Sequence, residues 1–242
     1  MTVTDLAPAK AELAEMAPDE FVSLLRAECS RPGHGMKDHP LVHAMEAGTA
    51  TIPQLQLFTE QFYLHISRML PWIGAIYVRC PHEEVRTALV KNLAEECTGY
   101  QTQTDAHPAL LLEFAKALGS DPEAIRNGEQ LTEGRRLTDY FEFMGLCRDW
   151  YVPLSAIGIG LESFVPDTFT RIVAAMKKNY DMSDDQLIFW TMHIIADEEH
   201  GDEGIQMVSD YALTADARKH VFDCTVETSR LFHDMWMLYE RA

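Results

Sequence analysis

A chain of 242 residues, 47% hydrophobic and 24% charged, suits one large domain or two small ones with enough apolar material for a full core. Its formal net charge of −18 argues against a nucleic-acid surface, since phosphate affinity rests on clustered Lys and Arg. Cys29, Cys80, Cys97, Cys147 and Cys224 are scattered, odd in number and never in a C-x-x-C pair. There is no basic, apolar leader at Met1 and no apolar run of membrane length, so the expected location is the cytoplasm, with no membrane partner and no structural zinc knuckle.

In chain order, residues 1–18 are rich in Ala, Pro and acidic side chains and read as a flexible N-terminal segment ahead of one helical domain over 19–242. Asp19 is placed to cap a helix through Ser30, and Gly and Pro mark 31–40 as a loop. A short helix to Ala47 ends at Gly48. A longer one starts near Pro53 and runs toward Tyr77, with a kink expected at Pro71. Further helices are predicted from Glu83 to Cys97, from His107 to Leu118, and from Leu131 to Trp150, the last interrupted by Pro153. Ser155 to Ser163 is small and apolar, as close helix packing requires. Pro166–Asn179, Ser183–Tyr211 and Thr214–Tyr239 complete the chain. No alternating strand pattern occurs, so the fold class is all-α, a single domain of seven or more helices.

The stretch His193-Ile-Ile-Ala-Asp197-Glu-Glu-His200 carries the chemistry. Positions i, i+4 and i+7 fall within roughly 60° of one another on a helix. The preceding run Asp185-Gln-Leu-Ile-Phe-Trp-Thr-Met is apolar enough to bury that face. Two imidazoles and a carboxylate buried without partners would cost several kcal/mol, and a metal ion satisfies all three at once. A dinuclear site needs about six such ligands. Glu96 near a helix end, His107 at a helix start and Glu162 among Ile, Gly, Leu, Phe and Val supply three more candidates. Glu95 competes with Glu96, and the helix break before His107 leaves helical arithmetic unable to decide. Glu60 is a further candidate carboxylate. Nucleophile-elbow, dinucleotide and P-loop signatures are absent, as is H-E-x-x-H.

Taken together, Asn92-x-x-Glu-Glu96, His107-Pro-x-Leu, Gly160-Leu-Glu162 and His193-x3-Asp197-x2-His200 resemble the haem-oxygenase-like diiron oxidases, relatives of the thiaminase-II and pyrroloquinoline-quinone synthase proteins. The resemblance spans about residues 20–235 and is most specific in its C-terminal triad. It implies a seven-helix bundle whose core holds two iron ions and uses dioxygen as co-substrate. Glu96, His107 and His193 would bind one iron, and Glu162, Asp197 and His200 the other, with Glu162 as a candidate bridge and central to the oxygen chemistry. Relatives cleave carbon–carbon bonds, desaturate or N-oxygenate small amines, amino acids and fatty acids. The expected partners are a small-molecule substrate and an external electron donor, in a homodimer. Ferritin-like bundles need two Glu-x-x-His motifs, and only Asp197-x-x-His200 approaches that form.

Two other classes compete. A metal-free enzyme on the same fold would need a nucleophile such as Cys97 or Cys147, and a non-enzymatic interaction protein would need no ligand set. For substrate binding, Tyr63, His65, Arg68 and Arg148 are candidates, with Trp72 and Trp150 beside them. Arg68 or Arg148 is expected to clamp the carboxylate of a small substrate such as an amino acid.

Overall fold

The computed structural model describes residues 8–242, the side chains of 195–203 excepted. The helices α1 (Lys10–Glu15), α2 (Pro18–Cys29) and α3 (Pro40–Ala47) lead to the long α4 (Ile52–Arg79). Then come α5 (Glu83–Thr98), α6 (His107–Ala117), α7 (Pro122–Arg126), α8 (Thr132–Cys147) and α9 (Tyr151–Gly160). A 3₁₀ turn at Glu162–Phe164 precedes α10 (Val165–Tyr180), and another at Asp185–Leu187 precedes α11 (Ile188–Tyr211). The chain closes with α12 (Ala215–Trp236) and a turn at Met237–Arg241. There is no strand among the described residues. Seven of the helices have twelve or more residues: α2, α4, α5, α8, α10, α11 and α12. The other five are shorter, α6 with eleven residues among them, so the bundle has twelve α-helices among the described residues rather than the seven that the resemblance implies.

The local chemistry of some starts is legible. Thr51 caps α4 by accepting from Gln54 N–H while the Gln54 side chain accepts from Thr51 N–H, a reciprocal capping box. The helix then continues through Pro71 to Arg79. Asp19 is not the cap of α2. Pro18 takes the first helical position and Glu20 reaches back to Ala17 N–H. The expected interruption at Pro153 also moves. The break falls at 148–150, and Pro153 sits in the first turn of α9, where its missing N–H would have had no helical partner. The short α7, started by the Asp121 cap and Pro122, was not anticipated from the hydrophobic pattern because five residues carry too little periodicity.

Residues 1–7 of the expected flexible segment lie outside the described residues, and the remainder carries a helix. Within 1–18, Lys10–Glu15 is helical and Leu13 is fully buried. The buried Arg218 of α12 explains this: it donates to the carbonyls of Leu13 and Met16 and thereby holds α1 down.

In the interior, α9 lies between α11 and α12, α4 packs on α8, and α10 packs on α11 and α3. Trp190 and Trp236 are fully buried. Trp190 meets Phe169 at 4.7 Å and Phe114 at 5.2 Å between ring centroids, and Trp236 meets Phe58 at 5.0 Å. This aromatic block lies beside His193, whose ring is 4.5 Å from that of Phe189. No helix of the described residues is long and apolar enough to cross a membrane.

Candidate metal centre

Three side chains from three helices converge. Glu96 stands in the last turn of α5, His107 is the first residue of α6, and His193 lies in the second turn of α11. One ligand atom from each lies within 4.8 Å of the others, and His107 is 1% exposed. Glu96 Oε1 is 2.9 Å from His107 Nδ1 without the alignment of a hydrogen bond. The His107 and His193 rings are 4.6 Å apart.

Each imidazole is set in its orientation by a second contact. His193 Nδ1 lies 2.6 Å from the Phe189 carbonyl. A carbonyl only accepts, so Nδ1 carries the hydrogen and Nε2 keeps its lone pair, the form a metal requires. His107 Nε2 faces Glu95 Oε1 at 3.4 Å, which leaves Nδ1 toward Glu96. A carboxylate behind a ligating histidine is the usual arrangement that fixes ring orientation and raises basicity.

Glu95 does more than this. Its carboxylate accepts from the N–H groups of Gln101 and Thr102 and from the Thr102 hydroxyl. Burial opposes its charge, but those donors, with His107, hold its pKa below the ordinary carboxylate value. The loop between α5 and α6 is thus tied onto Glu95. Gly99 starts that loop in the left-handed region at φ 63°, where a Cβ would run into the Thr104 carbonyl. For His107, burial alone favours the neutral ring, yet the nearby charge of Glu96 and then Glu95 more than offsets this and raises its pKa.

A second carboxylate shares the space. Glu162, in the turn after α9, lines the same two cavities as Glu96. The inner cavity, about 80 Å³, is walled by Phe62, His65, Phe141, Phe169, Phe189 and Phe232, with His193 on its border. The outer one, about 250 Å³, runs along Met69, Ile73, Ile76, Leu89 and Leu154 toward Glu84 and Gln206. Met69, Glu96, Ile157 and Glu162 belong to both, so the acidic pair sits where they meet. A close approach of α9 and α11 places it there: Gly204 is packed on Gly158.

The donor set fits a transition metal: two imidazole nitrogens and a carboxylate within reach of one ion, a further carboxylate alongside, and an apolar wall. Asp197 and His200 continue the face of α11 that bears His193, but their side chains lie outside the described residues.

Other candidates fall elsewhere. Glu60 is not part of the centre. A Cβ at Gly128 would stand 3.1 Å from its Oε1, so Glu60 faces the loop after α7, and burial there raises its pKa. The α4 residues that line the cavities are Phe62, His65, Ile66, Met69, Ile73 and Ile76. At about 100° per residue, Tyr63 and Arg68 point roughly 100° or more away from that stripe and Glu60 about 160° away. Tyr63 packs instead on Leu112 and Ile125, and Arg68 donates to Gln130 Oε1. Arg148 lies over the Phe143 ring at 4.9 Å, Trp72 packs on Gly145, and Trp150 meets His82 at a tilt and Tyr211 edge to face. Of the expected substrate contacts only His65 reaches the cavity, and neither arginine can clamp a substrate there. Cys97 and Cys147 are exposed, and no cysteine lines either cavity, so a metal-free enzyme would lack its nucleophile. The loop-organising role of Glu95 and the lining role of Met69 were not anticipated. Only the spacing of 62, 66, 69, 73 and 76 on α4 carried a signal for the latter.

Residues 56–233 match the model of a family described as iron-containing redox enzymes. A 4-aminobenzoate synthase of Nitrosomonas europaea is 27% identical over 197 residues, 77% of this chain and 78% of that one. A 4-aminobenzoate synthase of Chlamydia pneumoniae is 25% identical over 72% of this chain and 75% of its own. Among solved structures, a protein of heme-oxygenase-like fold from Shewanella denitrificans superposes with a TM-score of 0.74 at 13% identity, covering 98% of this chain and 94% of that one. A TenA homologue from Pseudomonas syringae gives 0.73 at 10% identity, over 97% and 94%.

Proposed function

The chain belongs to the family of iron-containing redox enzymes, on the haem-oxygenase-like fold, and from that premise we propose that it is a non-haem diiron oxidase or oxygenase that uses dioxygen to oxidise a small amine-bearing substrate. That it is an oxidoreductase follows from the family. The single observation that supports the finer reading is the convergence of Glu96, His107 and His193 within 4.8 Å at the inner end of an apolar channel. These three would hold one iron. Glu162 would serve the second, with Asp197 and His200, whose positions follow His193 by four and seven along the continuous helix α11.

Iron bound there would supply the one-electron and dioxygen chemistry that amino-acid side chains cannot. The chain's own residues do the rest. Phe189 and Glu95 orient the two imidazoles. The phenylalanine wall keeps bulk water from the reacting centre, which strengthens every electrostatic interaction inside it. The channel selects the substrate by what it lacks. Residues 1–7 and 195–203 contain no Lys or Arg, so every cationic side chain of the protein is among the described residues, and none lines either cavity. An amine entering past Glu84 meets favourable charge. A carboxylate could be neutralised only by the metal or by leaving it at the mouth. The relatives' name points to formation of an aromatic amine, which is compatible with such a channel.

Anaerobic loading with ferrous iron, followed by metal analysis and an oxygen pulse, tests this reading. We expect about two irons per chain in the wild type, with large losses in His193→Ala and Glu96→Ala, and oxygen consumption that depends on iron. Equal, negligible iron in all three proteins would overturn it.

A further inference from the structure

His65 is the one polar side chain on the cavity stripe of α4, and the metal centre does not use it. It is 1% exposed. Its Nδ1 lies 3.0 Å from Thr138 Oγ1, while Nε2 has no hydrogen-bond partner among the described residues. The supporting network sets the tautomer. Arg68 donates to Gln130 Oε1 at 2.8 Å, which turns the amide nitrogen of Gln130 onto Thr138 Oγ1, also at 2.8 Å. The Thr138 hydroxyl passes its own hydrogen to the Gly134 carbonyl at 3.2 Å. Thr138 Oγ1 is then left only to accept from His65, so the ring hydrogen is on Nδ1 and Nε2 is a bare lone pair. His65 lines the inner chamber and Thr138 lines neither cavity, so the bare nitrogen, buried against the chamber wall, is the ring nitrogen left for that side.

A buried acceptor left unpaired is costly, and a network of four residues that holds it so has a consequence for recognition. We propose that His65 is the specificity-determining contact of the inner chamber, taking a hydrogen bond from the neutral O–H or N–H head of an otherwise apolar, ring-sized substrate. The proposal rests on the reading of this space as the substrate chamber of the redox site. Three further observations agree with it. No cation lines the chamber, so a carboxylate head has no partner beside His65. Burial pushes the His65 pKa down to about 3, so the ring stays a neutral acceptor at physiological pH. The inner cavity, about 80 Å³, is smaller than the roughly 150 Å³ that accommodates a benzene ring, so a ring whose head meets His65 extends past the shared residues Met69 and Ile157 into the adjoining cavity of about 250 Å³.

The test uses full-length, iron-loaded protein under nitrogen, with phenol, aniline and toluene as probes of one shape and size. Calorimetric titration should show phenol and aniline binding about tenfold more tightly than toluene. In His65→Phe, which removes the acceptor and keeps a ring, that preference should vanish while toluene affinity and iron content stay unchanged. A preference that survives in His65→Phe would mean that iron, not His65, holds the head group, and would overturn the proposal. So would equal binding of all three probes by the wild type. Iron content is read separately, so failure of the metal assignment is distinguishable from failure of this one. Should His65→Phe not fold, ¹⁵N resonances of histidine in the zinc-loaded wild type decide the matter. A non-protonated His65 Nε2 that shifts with phenol and not with toluene supports the assignment. A protonated or unresponsive Nε2 refutes it.

Discussion

Gly204 of α11 and Gly158 of α9 touch backbone to backbone: a Cβ on Gly204 would stand 2.9 Å from Gly158 Cα. This contact brings the turn bearing Glu162 up to the helix bearing His193. Gly204→Ala must therefore push two helices apart rather than displace a pliable side chain. The expected cost is about 1–3 kcal/mol, as for other overpacked interiors. It should appear as a lower Tm in calorimetry together with weaker ferrous binding. An unchanged Tm would mean that the helices slide without penalty.

Glu95 makes no contact with the point on which the three ligands converge, yet it should govern metal affinity. Glu95→Gln keeps the volume, removes the charge and leaves one accepting oxygen where the carboxylate had two for the 101–102 loop and His107. Metal affinity should fall about 10–100-fold, as it does when carboxylates behind ligating histidines are removed. Competition with a chromophoric chelator measures it. Equal affinity in both proteins would show that His107 needs no support from behind.

The same pair shows where the sequence stops being readable. His193, Asp197 and His200 are legible because one helix spaces them, and periodicity needs no knowledge of the fold. Glu95 and Glu96 are neighbours about 100° apart on the last turn of α5, and which one faces inward depends on the loop that follows. That loop is shaped by Gly99 and by Glu95 itself, so the answer exists only in three dimensions. That Arg68 and Arg148 line neither cavity was unreadable for a related reason. An arginine near an apolar stretch says nothing about which side of the helix it leaves from, and Gln130 and Phe143 claim these two. The long helices, by contrast, announce themselves mainly by apolar spacing, with a capping side chain at Thr51 for α4 and Thr214 for α12.

Acid should destabilise the fold through its buried histidines. Burial, with the neighbouring His233, lowers the His39 pKa from 6.5 to about 3. The unfolded chain thus takes up a proton at a pH where the folded chain does not. Stability is intact above about pH 6.5 and falls as the pH drops toward 3, by about 1.4 kcal/mol per unit for such a group. His39 also caps α3 through Nδ1, which accepts from Leu41 N–H. His39→Asn retains a capping oxygen and cannot titrate. Between pH 7 and pH 5 the variant should lose about 2 kcal/mol less than the wild type in urea denaturation. Parallel losses in both proteins would show that His39 does not contribute.

Met69 lies at the junction of the two cavities and binds nothing. Met69→Trp should fill that junction, reduce substrate turnover at least about tenfold and leave iron content at the wild-type level. Kinetic assay alongside metal analysis separates the two effects. Loss of iron would place Met69 in the support of the centre rather than in the channel.

The long helix α4 lines both cavities with six side chains, while the proposed metal ligands come from α5, α6, α11 and the turn after α9. Catalytic power and substrate choice are therefore written on different segments of chain. Substitutions along one stripe of α4 can accumulate without passing through a variant that has lost its redox centre. Descendants of such a scaffold can explore new substrates by short mutational paths, and selection for each new substrate acts on a helix that carries none of the ligands.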